Sequence, residues 1–75
     1  MITIKICTKI TPLTVPTICC DQENISYIAN MLERSDDVIA FEVYNDCGLC
    51  VPRDFGFGRY EKWVESIEEV YIKHV

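Results

Sequence analysis

The sequence predicts an α+β two-layer sandwich: a four-stranded antiparallel sheet, in the order ββαββα, with two helices on one face, all in a single domain over residues 1–75. Three observations predict it. Ile2, Ile4 and Ile6 alternate with Thr3, Lys5 and Cys7, the two-residue period of a half-buried strand. Ile25, Ile28, Ala29 and Leu32 recur at i, i+3, i+4 and i+7, the apolar stripe of a helix. Val38 to Tyr44 is β-branched and aromatic, and it runs into Asn45–Asp46–Cys47–Gly48, a turn signal.

The elements follow in order. Ile2, Ile4, Ile6 and Ile10 form the core face of a first strand, and Thr11–Pro12 is a turn. Leu13 to Cys19 reads as a second strand. Pro16 has no N–H to give to a ladder, so this strand belongs at an edge. Asp21 is placed as the N-cap of a helix over residues 21–34, with Glu23 in its first turn, and Ser35–Asp36–Asp37 ends it. The third strand puts Ile39, Phe41 and Val43 on one face. A fourth, Leu49 to Val51, stops at Pro52 and forms the other edge. The helix must return the chain across the sheet, which gives the spatial order 2-1-3-4. Arg59 to Val75 then reads as one long amphipathic helix, because Tyr60, Trp63, Val64, Ile67, Val70, Tyr71 and His74 share a face. Two apolar helix stripes need one apolar sheet face to cover, hence both helices on the same side.

Charge narrows the partners. The chain has 75 residues, net charge −5 and a pI near 4.6. Residues 1–20 carry Lys5 and Lys9 and no acid, so all 12 acids lie beyond them, against Arg34, Arg53, Arg59, Lys62 and Lys73. Duplex DNA and anionic membranes are repelled by such a surface, and a basic protein groove is attracted. The N-terminal alternation lacks the continuous apolar run of a signal peptide, which points to the cytosol, where five cysteines stay mostly reduced.

The acidic residues are the first candidate site. On a continuous helix, Glu61, Glu65, Glu68 and Glu69 occupy the face opposite the apolar one. They place four carboxylates along ~12 Å at ~1.5 Å per residue, close to the ~3.4 Å charge spacing of one nucleic-acid strand. Glu33, Asp36, Asp37 and Glu42 extend the patch. On such a helix Glu61–Glu65 and Glu65–Glu69 are like-charge i,i+4 pairs, which a sequence selected for stability alone avoids. In size and charge the chain resembles the small acidic inhibitors carried by phages and mobile elements, including anti-CRISPR and anti-restriction proteins. That resemblance implies a non-catalytic module docking on a basic, nucleic-acid-handling protein.

Two alternatives come from other motifs. Arg53–Asp54–Phe55–Gly56–Phe57–Gly58–Arg59–Tyr60 resembles the aromatic octapeptide of the RNA-recognition motif. The resemblance implies base stacking on Phe55, Phe57 and Tyr60 with Arg53 on a phosphate. It departs from the pattern at Asp54 and Gly58, and the first strand offers no aromatic partner. Cys47 and Cys50 have the spacing of half a zinc site, with Cys19 and Cys20, or Cys7 and His74, as the other half. His74 alone reads as a residue of the last helical turn. No nucleophile–base pair, phosphate loop or histidine cluster is present, so no enzyme activity and no cofactor are expected. An edge strand is left to pair with a second copy in a homodimer.

Overall fold

The computed structural model describes residues 1–9 and 15–74, with side chains at positions 71, 73 and 74 left out. Strand β1 is Ile2–Thr8, β2 Thr17–Cys20, β3 Val38–Asn45 and β4 Gly48–Leu49; helix α1 is Ile25–Arg34 and α2 Ile67–His74. The sheet is antiparallel throughout, in the order β2-β1-β3-β4, so the predicted class and strand order hold. The Thr11–Pro12 turn, Ile10 and the start of the predicted second strand lie outside the described residues, as do the Tyr71 and His74 side chains and Val75.

Strand pairing fixes the faces. Ile4 pairs with Val43 and Ile6 with Phe41, so these four side chains share one face. α1 lays Ile25, Ala29 and Leu32 on it, and Ile4, Ala29, Phe41 and Val43 lose all contact with water. This is the two-layer sandwich expected from the apolar periods. Asp21 precedes α1 as foreseen but makes no side-chain cap. A 3-10 turn over Gln22–Asn24 leads in, closed by Asn24 N–H to the Asp21 carbonyl at 3.0 Å. Ser35 ends the helix, its N–H returning to the Leu32 carbonyl.

Three expectations need correction. The first is the face of Ile39. The register slips between Cys7 and Thr8, which pair with Ala40 and Val38, so Ile39 is the extra residue of a bulge. Ile39 therefore packs with Ala40 on the second face, away from Phe41.

The second is the helix over residues 59–75, which forms only from Ile67. β4 is two residues long and leaves much of the outer edge of β3 uncovered. Phe41 is fully buried there, and its backbone groups need partners. Lys62 and Val64 provide them: Phe41 N–H donates to the Lys62 carbonyl at 2.8 Å, and Val64 N–H to the Phe41 carbonyl at 2.9 Å. Trp63 thereby bridges in parallel to Phe41. Residues 61–66 are spent on the sheet edge, despite their helical period.

The third follows from the second. Trp63 points into the first core and Val64 into the other cluster, so the chain rounds the edge of the sheet. α2 then sets Ile67 and Val70 against Cys7 and Ala40, on the face opposite α1. The two helices do not share a face; α2 covers one end of the second.

Candidate functional site

Beside α2 the second face stays open and forms a cleft of about 560 Å³. Lys5, Thr17, Glu42 and Tyr44 come from the sheet, and Glu65, Ser66, Ile67 and Glu68 from the crossover and the first turn of α2. Glu42 is buried on the cleft floor, with 7% of its surface exposed. One carboxylate oxygen accepts the Ile67 N–H at 3.1 Å, the first donor of α2, and the other accepts the Tyr44 hydroxyl. A carboxylate suits a helix N-terminus, where unpaired N–H groups and the helix dipole are both positive. Donation to Glu42 and burial push the Tyr44 phenol above its ordinary pKa. Lys5 Nζ sits 5.1 Å from the centroid of the Tyr44 ring, a cation–π contact. Glu42 is thus an internal latch rather than part of the outer acidic patch.

The acids divide by use. Glu61, Glu65, Glu68, Glu69, Asp36 and Asp37 are exposed. The ion pair among the described residues joins the Met1 ammonium to Asp46 at 3.2 Å, so among the described side chains none of these six is matched by a cation. Glu33 has a structural role: its two oxygens accept the N–H groups of Glu61 and Lys62 at 3.0 and 3.1 Å and brace the start of the crossover. Lys62 Nζ donates to the Ser35 carbonyl at 2.6 Å, just past the C-terminus of α1. Glu61 and Glu65 precede α2, so the even helical spacing of charges from Glu61 to Glu69 does not form. Glu68 and Glu69 lie in the first turn of α2, where negative charge is favourable.

The aromatic loop is a folded unit. Pro52–Phe55 form a 3-10 turn in which Asp54 accepts the Val51 N–H at 2.8 Å, and Gly56 closes it at φ 74°, a conformation that glycine adopts without strain. Phe55 stacks on Phe57 at 5.8 Å, Tyr60 meets Phe57 edge-on at 5.8 Å, and Trp63 touches Phe41, Phe55 and Tyr60. Trp63 also donates its indole N–H to the Cys50 carbonyl at 2.9 Å. The three predicted stacking rings are half-buried, off the sheet, and packed against the main core. Phe57 and Tyr60 keep an edge on a second cleft of about 520 Å³, shared with Val51, Pro52, Arg53, Gly58, Arg59 and Glu65. Phe55 is not in its wall.

The cysteines do not assemble. β2 and β4 are opposite edges of the sheet, so Cys19–Cys20 and Cys47–Cys50 are separated by three strand spacings, ~14 Å. Sulfurs on one zinc ion, each ~2.3 Å from the metal, lie within ~4 Å of one another. Cys50 is buried in the core and donates its thiol to the Gly48 carbonyl, while Cys47 is exposed in the turn. Desolvation, ahead of nearby negative charge, pushes the Cys20 thiol up, and it likewise dominates at Cys50. Both favour the protonated, unreactive form. Among the described residues no group of three or more His, Cys, Asp or Glu is placed to hold a metal ion, and no helix is long and apolar enough to cross a membrane.

Comparison with protein-family models, with curated proteins and with solved structures returns no match for this chain. The geometry alone therefore bears on function. Sequence reasoning missed Lys5, Tyr44 and Ser66 in the first cleft and Arg59 in the second. For Glu42 a signal existed: an acid in the middle of an apolar strand, with Ala40 and Tyr44 two residues away on the same face.

Proposed function

We propose that this protein is a non-catalytic binding module that docks its acidic face on a basic protein surface, of the kind that otherwise holds nucleic acid, and inhibits by occupying it. The observation that carries this reading is the exposure of Glu61, Glu65, Glu68 and Glu69 with no cation at ion-pair distance among the described residues. Glu65 and Glu68 flank the first cleft, a concave place for an arginine or lysine side chain of the partner. Such complementarity steers association and is weakened by salt.

The test begins with partners captured from the source cells and identified by mass spectrometry. Binding of the purified partner is then measured against salt, with and without competing nucleic acid. Glu65→Lys and Glu68→Lys together are expected to weaken binding about tenfold or more, ~1.4 kcal/mol, and to flatten its salt dependence. Nucleic acid is expected to compete. Affinity untouched by both reversals excludes the acidic face, and affinity indifferent to nucleic acid excludes a nucleic-acid groove as its target.

A further inference from the structure

The second cleft concentrates what little positive charge the acidic part of the chain holds. Arg53 and Arg59, two of the three arginines, line it together. Both are exposed, and neither has a carboxylate at ion-pair distance among the described residues, in a chain with 12 acids available. The same cleft is lined by two rings at nearly a right angle: Phe57 and Tyr60 cross at 82°. This corner is rigid. Phe55 backs Phe57, Trp63 backs Tyr60, and the Tyr60 hydroxyl is tied to Asn30 Oδ1 at 3.1 Å. Pro52 and Val51 complete an apolar wall, and Glu65 is the one anion in the lining. The volume of about 520 Å³ is in the range of small-ligand sites, ~300–1,000 Å³.

Those groups match the parts of one ligand class. Guanidinium groups fork onto phosphate oxygens, and unpaired ones keep their full attraction. An aromatic corner takes a planar base by stacking or edge contact. A carboxylate accepts paired N–H donors, and guanine is the base whose Watson–Crick edge carries two side by side. The net charge of −5 opposes a long polyanion much more than a single nucleotide. We propose that this cleft binds a guanine mononucleotide, its phosphate on Arg53 and Arg59, its base on the Phe57–Tyr60 corner and its N–H edge on Glu65. The proposal is independent of the acidic docking face, apart from the shared Glu65.

The test is an NMR titration of the full chain with GMP, UMP, guanosine, inorganic phosphate and a short single-stranded RNA. GMP is expected to bind saturably, shifting the amides of Phe57, Gly58, Arg59 and Tyr60. UMP, guanosine and phosphate are each expected to bind about tenfold more weakly or worse, since UMP lacks the paired N–H edge, guanosine the phosphate, and inorganic phosphate the whole base. The exposed pair Arg53→Gln and Arg59→Gln should reduce GMP to the affinity of guanosine, with the spectrum of the folded chain retained. Glu65→Gln should abolish the preference for GMP over UMP. The proposal is overturned if GMP does not saturate at millimolar concentration, or if phosphate alone binds as well as GMP. It is equally overturned if the shifts fall outside the cleft, or if the RNA strand binds more tightly per nucleotide than GMP.

Discussion

Replacing Glu42 with leucine tests whether α2 is latched to the sheet. The change removes the acceptor from two donors, the Ile67 N–H and the Tyr44 hydroxyl. Tyr44 is half-buried on the wall of an open cleft, so its hydroxyl can turn to water. Ile67 is 3% exposed, and its N–H has no such recourse. A buried donor left unsatisfied costs ~1–3 kcal/mol; the usual cost of losing an N-terminal cap, ~1 kcal/mol, describes the same bond and is not added. Leucine offsets part of this because it carries no charge to desolvate. The net expectation is ~1–2 kcal/mol, felt locally, because the Glu42 side chain lies on the cleft side of the sheet, opposite α1. Amide hydrogen exchange reads it directly. Protection of the α2 amides should fall about tenfold, at ~1.4 kcal/mol per decade, while the ladder between β1 and β3 changes less. Glu42→Gln keeps a carbonyl oxygen for the Ile67 N–H and should restore most of the protection. Wild-type exchange of α2 in Glu42→Leu, or equal loss in α2 and the ladder, would refute the latch.

Two further outcomes are expected. Trp63→Phe strands the Cys50 carbonyl, whose bond to the indole is buried, and should lower the urea midpoint by the equivalent of ~1–2 kcal/mol. Trp63→Ala, at ~3–5 kcal/mol, removes a large share of the stability of a chain this size, ~4–11 kcal/mol, and should lower the midpoint well beyond Trp63→Phe. An unchanged midpoint in Trp63→Phe would show that the bond contributes nothing. The pH dependence follows from groups whose pKa the fold raises. Cys20, Cys50 and Tyr44 all hold their protons more tightly when folded. Their contribution is therefore fully present below the unfolded values, about 8.5 for cysteine and 10 for tyrosine, and is lost as pH climbs above them. Urea midpoints should decline from about pH 9 upward, and Tyr44→Phe should remove the part of the decline above about pH 10. A wild-type midpoint that rises over that interval would contradict the argument.

The sequence by itself determined the strands, the first helix and their order in space. Ile2, Ile4 and Ile6 alternate, and Ile25, Ala29 and Leu32 recur at helical steps, because each must meet the same core; a period of two or of 3.6 is a local property of the chain. Proline at 16 and 52 placed the edges for an equally local reason, a missing donor. The acids that remain exposed, from Asp36 to Glu69, were also legible, since unpaired carboxylates stay in water. What only the tertiary structure decided concerns residues 59–66. Their spacing suits a helix, but a two-residue β4 leaves the backbone of Phe41 uncovered, and a buried N–H and C=O outweigh a local helical preference. Once Lys62 and Val64 are bound there, the chain is carried around the sheet edge. Only then does α2 land opposite α1, Glu42 meet its first N–H, and Arg53 and Arg59 come to share a cleft with Tyr60. The bonds from Phe41 to Lys62 and Val64 and from Glu42 to Ile67 join residues 21 to 25 positions apart, and no periodicity in a single strand of sequence encodes them.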